Sequence, residues 1–118
     1  MMPTLEAIDG NNWEAFVNAP IAVLVLGKSD CAACNEWSEE LSAFLNEDQN
    51  LSEFNEVRFG KITLDKPGLA SFKRANTWLA DVDVLPFNVI YKNGEQVKKY
   101  AGGGVERLTH RLQRLSEA

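Results

Sequence analysis

Apolar residues fall along the chain in runs and stripes that assign most of it to elements. Leu5 to Ile8 reads as a short strand, with Asp9 as a turn or capping residue. Trp13, Phe16 and Val17 stand at helical spacing, and Pro20 closes that segment. Ile21-Ala22-Val23-Leu24-Val25-Leu26 is apolar without a break and is bounded by Gly27. A run of that length marks a strand covered on both faces, as in a parallel sheet. Beyond the polar loop Gly27-Lys28-Ser29-Asp30, the positions Trp37, Leu41, Phe44 and Leu45 recur at threes and fours from Cys34. They predict a helix with one buried stripe and with Glu36, Glu39 and Glu40 largely outside it.

Asn46 to Asn50 is polar and predicts a loop. Val57 to Leu64, with Phe59, Ile62 and Leu64, predicts a strand that Asp65-Lys66-Pro67-Gly68 closes. Leu69, Phe72, Trp78 and Leu79 predict one further helix, running to Asp81 or so. Phe87 to Lys92 and Glu95 to Tyr100 flank the pair Asn93-Gly94, a strong hairpin signal because both residues tolerate positive φ. Gly102-Gly103-Gly104 interrupts the chain before a last helix. That helix carries Val105, Leu108, Leu112 and Leu115 on one face, with Arg107, His110, Arg111 and Arg114 mainly away from it.

The resulting order, β-α-β-α-β-α-β-β-α, predicts an α/β protein with a central mixed β-sheet flanked by helices. No repeat, linker or low-complexity segment interrupts it, so residues 1–118 read as a single domain. Hydrophobic residues at 45% and charged residues at 25% agree with a folded chain rather than a disordered one. Lysine and arginine number 12 against 17 acidic residues, a net charge of −5. That balance argues against a sequence-independent hold on nucleic acid or an anionic membrane, since both need positive charge. The longest apolar run, Ile21 to Leu26, is too short to cross a bilayer as a helix. The start Met1-Met2-Pro3-Thr4-Leu5-Glu6 has no basic stretch leading into an apolar one, which predicts a cytoplasmic protein if the chain is full-length. In that compartment a lone cysteine pair is a poor structural staple, so a chemical role for Cys31 and Cys34 comes first.

The pair sits where a buried strand hands over to a helix. Backbone N–H groups at a helix start have no intrahelical acceptor, and the helix dipole is positive there. Both favour a thiolate, the attacking species in disulfide exchange. Cys31, nearer the helix start, is expected to be the exposed nucleophile; Cys34, one turn in and better covered, is expected to resolve the mixed disulfide. Two alternatives stand beside disulfide exchange. Half of a zinc site is one, although the remaining ligand supply is a single distant histidine, His110. Two small cysteines packing as hydrophobes is the other.

The strand feeding Cys31-Ala32-Ala33-Cys34, together with Val84-Leu85-Pro86-Phe87-Asn88-Val89-Ile90-Tyr91-Lys92-Asn93-Gly94-Glu95, resembles the thioredoxin family, over nearly the whole chain. The resemblance implies the thioredoxin fold. It also implies that Pro86 is a cis residue facing the cysteines and that Leu85 presents its backbone to an extended substrate chain, as an added strand. Lys61-Ile62-Thr63-Leu64-Asp65 resembles the family strand that carries a lysine near the active site, so Lys61 is expected to bring positive charge; a solvent-facing strand lysine is the alternative. Gly102 or Gly103 matches the family glycine that keeps the surface beside the cysteines flat for a partner.

Several residues depart from the family pattern. Asp30 stands where the reductases have tryptophan, and a carboxylate beside Cys31 opposes thiolate formation, subject to screening. Ala32-Ala33 replaces Gly-Pro. Val25 stands where the family has a buried aspartate that helps deprotonate the second cysteine, leaving Lys61, Asp30 or water for that task. The segment from Asp65 to Pro86 is longer than in a minimal thioredoxin.

The function expected is thiol–disulfide exchange with protein disulfide or dithiol substrates through Cys31 and Cys34, needing no organic cofactor and no metal. A reductase or glutathione would supply the electrons, and a groove at Leu85, Pro86 and Gly102 would hold the substrate. A redox-sensing or interaction module with little turnover is the second expectation, and metal or iron–sulfur binding across a dimer a weaker third. His110 is expected to be a solvated surface residue, and Trp13, Trp37 and Trp78 to belong to the core. Arg107, Arg111 and Arg114 are expected to form a charged helix face.

Overall fold

A computed structural model describes residues 4–47 and 54–117. Strand β1 (Leu5–Ile8), helix α1 (Trp13–Val17), strand β2 (Ile21–Gly27) and helix α2 (Ala32–Leu45) open the chain. Strand β3 (Val57–Thr63), helix α3 (Ala70–Ala75) and a 3₁₀ helix (Thr77–Asp81) follow. Strands β4 (Phe87–Lys92) and β5 (Glu95–Ala101) then lead to helix α4 (Val105–Glu117). The expected loop at Asn46–Asn50 lies partly outside the described residues; Asn46 caps α2.

The five strands form one mixed sheet in the order β1-β3-β2-β4-β5. β3 pairs parallel with β1 and β2, while β4 runs antiparallel to both β2 and β5. β2 is central, which explains its unbroken apolar run: alternate residues serve opposite faces. Leu24 and Leu26 join Phe16, Ile62 and Phe72 in the core beneath α1 and α3. Val23 and Val25 join Trp37, Leu41, Phe59, Leu108 and Leu112 in the core beneath α2 and α4. The β4–β5 turn has Asn93 at φ 52° and Gly94 at φ 86°, the conformation the Asn-Gly pair permits. Among the described residues no helix is long and apolar enough to cross a membrane.

One expectation needs correction. The helix predicted from Leu69 to Asp81 is instead α3 and a 3₁₀ helix separated at Asn76. That residue is buried at φ −123°, ψ 69°, outside the helical region. Its side-chain Nδ2 donates to the Phe72 carbonyl at 2.8 Å, and its Oδ1 accepts from Trp78 Nε1 at 3.2 Å. The Phe72 carbonyl thus accepts both the Asn76 backbone N–H, at 3.1 Å, and its side-chain amide, a local side-chain-to-backbone pattern that favours asparagine at helix ends over helix interiors. The arginine face expected on α4 is present, with Arg107 and Arg114 exposed, and within it Arg107 and Arg111 lie over the ring of Tyr100, their guanidinium carbons 5.1 and 3.9 Å from its centroid. Arginine stems cover apolar surface and the cation sits over the π face. His110 is exposed, as expected, and Trp37 is buried. Trp13 and Trp78 are partly buried against the core under α1 and α3.

Candidate redox site

β2 ends at Gly27, and the loop Lys28–Asp30 carries the chain from the middle of the sheet to the start of α2. Two contacts hold this loop. Ser29 donates to the Asp65 carboxylate from its backbone N–H at 3.0 Å and from its hydroxyl. These bonds hold the Asp65 carboxyl below its ordinary pKa, with nearby Lys28 adding to the effect. Cys31 N donates to the Lys28 carbonyl at 3.3 Å, closing the loop into a turn.

Cys31 is the N-cap of α2, with extended backbone at φ −103°, ψ 106°. Its sulfur occupies the place of a capping oxygen and accepts the Cys34 N–H at 3.1 Å. Cys31 and Cys34 form a disulfide with Cα atoms 5.2 Å apart. Cys31 is half-buried and Cys34 fully buried, so the two residues of the pair differ in their access to solvent. The same N–H that caps the helix would hold a thiolate at Cys31 once the disulfide is opened.

A groove of about 420 Å³ lies beside the pair, walled by Ala33 and Trp37 of α2, by Leu85 and Pro86, and by Gly102 to Gly104. Leu85, Pro86 and Gly102 are therefore brought together, and Ala33 links them to the cysteine turn. The Leu85–Pro86 bond is cis. Gly102 N donates to the Pro86 carbonyl at 2.8 Å, and Gly102 has φ 93°, a conformation that suits glycine. Gly103 performs the closer packing: a Cβ there would stand 3.0 Å from Trp37 Cγ.

Asp30 is exposed on the loop, next to Cys31 in the chain. Lys61 is half-buried on β3, opposite Val25. Its Cε lies 3.8 Å from where a Gly27 Cβ would be, and the Cys34 sulfur lies 3.2 Å from that same point. The lysine stem and the buried sulfur thus share the space over Gly27. Val25 is completely buried and apolar. The buried polar residues among those described are Asn76 and Asn88, so no buried carboxylate stands near Cys34.

Three supporting residues escaped the sequence reading. Asn88 is fully buried on β4, where its Oδ1 accepts from Trp37 Nε1 at 2.9 Å. Its Nδ2 donates to the carbonyls of Gly102 at 2.6 Å and Tyr100 at 3.2 Å. One amide thereby ties the cysteine helix to both strands beneath the groove. A polar residue inside the apolar stretch from Phe87 to Tyr91 was the available signal. Glu40 accepts from Val105 N at 2.9 Å and caps α4 from α2. Gly27 gives Cys34 room, which its position directly after an apolar run does not reveal. Among the described residues no group of three or more histidine, cysteine or carboxylate side chains is placed to hold a metal ion.

No family model matches the sequence, and no curated protein matches it either. Solved structures do. Thioredoxin f from spinach chloroplast, in its long form, superposes with a TM-score of 0.74 at 16% identity, covering 96% of this chain and 87% of that one. Chlamydomonas reinhardtii thioredoxin f2 gives 0.69 at 20% identity, covering 93% and 94% of the two chains. Oxidised thioredoxin O2 from Arabidopsis thaliana gives 0.70 at 16% identity, covering 98% and 96%. At such identities the likeness is one of fold, and it runs end to end: this chain is a thioredoxin-fold protein with a disulfide-linked cysteine pair at the start of α2.

Proposed function

We infer that the protein is a thiol–disulfide oxidoreductase acting on protein disulfides and dithiols through Cys31 and Cys34. The observation that carries this is the asymmetry of the pair: Cys31 is half-buried and caps a helix, and Cys34 is fully buried one turn behind it. In the reducing direction the Cys31 thiolate attacks a substrate disulfide. One substrate sulfur leaves as a thiolate and takes up a proton, and Cys31 is joined to the other. Cys34, deprotonated, then attacks the Cys31 sulfur; the mixed disulfide breaks and the second substrate thiol is released. Two electrons pass to the substrate and the Cys31–Cys34 bond is restored. The reverse sequence oxidises a dithiol.

In this proposal the groove at Leu85, Pro86 and Gly102 holds an extended substrate segment beside the cysteines, with Leu85 offering its backbone. Lys61, near the Cys34 sulfur, favours the Cys34 thiolate, and Asp30 opposes that of Cys31. We place the protein in the cytoplasm, where a reductase or glutathione regenerates the dithiol.

Insulin reduction driven by dithiothreitol tests the proposal. The wild type is expected to accelerate insulin precipitation, Cys31→Ser to fall to the uncatalysed rate, and Cys34→Ser to accumulate a mixed disulfide visible by mass. The apolar burial of Val25 favours a second reading, a redox-sensing module in which Cys34 ionises too rarely for turnover. That reading predicts a wild type no faster than Cys31→Ser with any reductant, while the disulfide still opens and closes.

A further inference from the structure

A second cavity, of about 300 Å³, lies between the β4–β5 hairpin and the later turns of α4. It shares no lining residue with the groove beside the cysteines, which reaches only to Gly104, before α4 begins. That volume is at the small end of ligand sites, about 300–1,000 Å³. Irregular strand pairing helps to build it. Ile90 pairs with Lys98 and Tyr91 with Gln96, so Val97 is an extra residue on β5 with no partner on β4. Adjacent strand residues ordinarily face opposite sides, yet Val97 and Lys98 both line this cavity, a re-aiming that a β-bulge allows.

The chain carries a net charge of −5, but the wall of this cavity has the opposite sign. Lys98, Arg111 and Arg114 supply three cations, His110 adds an imidazole, and no carboxylate lines the space. Among the described residues the one salt bridge joins Arg58 to Glu6, so none of the three cations is paired there. Arg111 is the most firmly held. Its guanidinium lies over the Tyr100 ring, and its Nη1 donates to the Arg107 carbonyl at 3.1 Å. Its Nε is buried with no acceptor among the described residues. A half-buried cation with an unmatched N–H is unfavourable by itself, and a counter-charge in the cavity offsets that cost. Ile90, Val97 and Leu115 make the rest of the wall apolar, and Val97 is 42% exposed although large and hydrophobic.

We propose that this cavity binds a small organic anion with at least two negative charges. Its charged end, a phosphate or paired carboxylates, meets Lys98, Arg111 and Arg114, and its hydrocarbon end meets Val97 and Leu115. Three cations around one space repel one another, so a monoanion leaves positive charge in excess whereas a more highly charged ligand balances it. The planar fork of arginine suits phosphate and carboxylate oxygens, and Arg111, already held on Tyr100, loses little freedom on binding. A ligand that carries hydrocarbon also withdraws Val97 and Leu115 from water, which a bare inorganic ion does not. Neither cysteine lines the cavity, so binding here needs no thiol chemistry.

Phenyl phosphate and phenylsuccinate are the probes, each titrated into the oxidised full chain and followed by heteronuclear NMR. At least one is expected to shift the amides of Lys98, His110, Arg111 and Arg114 saturably, and the tighter of the two identifies the anionic group. Lys98→Glu and Arg114→Glu, both at exposed positions, are each expected to weaken that binding about threefold to tenfold. Inorganic phosphate and succinate, which lack the ring, are expected to bind about threefold or more weakly than their phenyl counterparts. The proposal is overturned if neither probe saturates these shifts, or if benzyl alcohol, a ring without charge, produces them equally. Undiminished affinity in both variants, or ringless anions as tight as the probes, also overturns it. Insulin reduction by the same samples separates this site from the oxidoreductase reading. Both variants are expected to keep the wild-type rate, and a wild type that binds the probe without turnover keeps the site and loses the oxidoreductase.

Discussion

The two walls of the candidate site are built to the same end by different means. On one side the Cys31 loop is held at the surface by Ser29, the exposed Asp65 carboxylate and a capping sulfur. On the other, the single buried amide of Asn88 holds the Gly102 carbonyl, and the Gly102 N–H in turn holds the Pro86 carbonyl. Surface bonds compete with water and contribute little each, whereas a buried polar group must be fully partnered or it costs heavily. The cysteine wall should therefore yield in small steps and the groove wall should fail as a unit. Under the proposed function, a loop whose disulfide opens is better secured by exchangeable contacts, while a surface that holds the substrate is better made rigid.

Three substitutions can break this comparison, taken in order of expected effect. Asn88→Leu leaves the Trp37 indole N–H and the Gly102 and Tyr100 carbonyls without their side-chain partner. Orphaned buried groups cost about 1–3 kcal/mol each, so a loss of about 3 kcal/mol or more in denaturant unfolding is expected. A loss below about 1 kcal/mol would show that water replaces the amide and that the groove wall is no stiffer than the loop.

Gly27→Ala is expected to come next. The added Cβ would lie 3.0 Å from Cys34 Cβ and 3.2 Å from its sulfur, closer than ordinary contact. Overpacking of this kind costs about 1–3 kcal/mol, read as a lower melting temperature of the oxidised protein. Because the crowded atom is the buried Cys34 sulfur, the rate of disulfide opening by dithiothreitol should change with it. An unchanged melting temperature and opening rate together would mean that the strand end moves aside freely.

Asp65→Asn should have the smallest effect, and its pH dependence identifies it. The folded carboxyl has its pKa lowered by its bonds to Ser29, so its contribution is complete above the unfolded value of about 3.9. It is lost as pH falls through the folded value. The melting temperatures of wild type and variant should therefore differ slightly at neutral pH and converge on acidification, and a gap that stays constant into acid would detach the loop's stability from this carboxylate.

Much of the fold was legible because its signals are local. The unbroken apolar run from Ile21 to Leu26 specified a central strand, and Asn93-Gly94 specified the turn beyond β4. The stripe of Trp37, Leu41 and Leu45, each four residues on from the last, specified the buried face of α2. The cysteine spacing placed one sulfur at a helix start and the other a turn inside it. Where the reading failed, a polar side chain had made a partner that spacing does not encode. Asn76 ended a helix that its apolar neighbours would have continued, and Asn88 joined Trp37 to the carbonyls of Gly102 and Tyr100.

What the amino-acid order determined by itself is thus the five strands, the helices other than the break at Asn76, their order and the redox-capable pair between β2 and α2. Periodicity, turn chemistry and cysteine spacing all act within a few residues, and that is the range over which a sequence states its own geometry. Only the tertiary structure decided that Trp37 meets Asn88, 51 residues away, that Gly27 makes room for Cys34, and that Lys98, Arg111 and Arg114 line one cavity. Those contacts depend on how strands align side by side and on what the core leaves unfilled, and neither is expressed by neighbours along the chain.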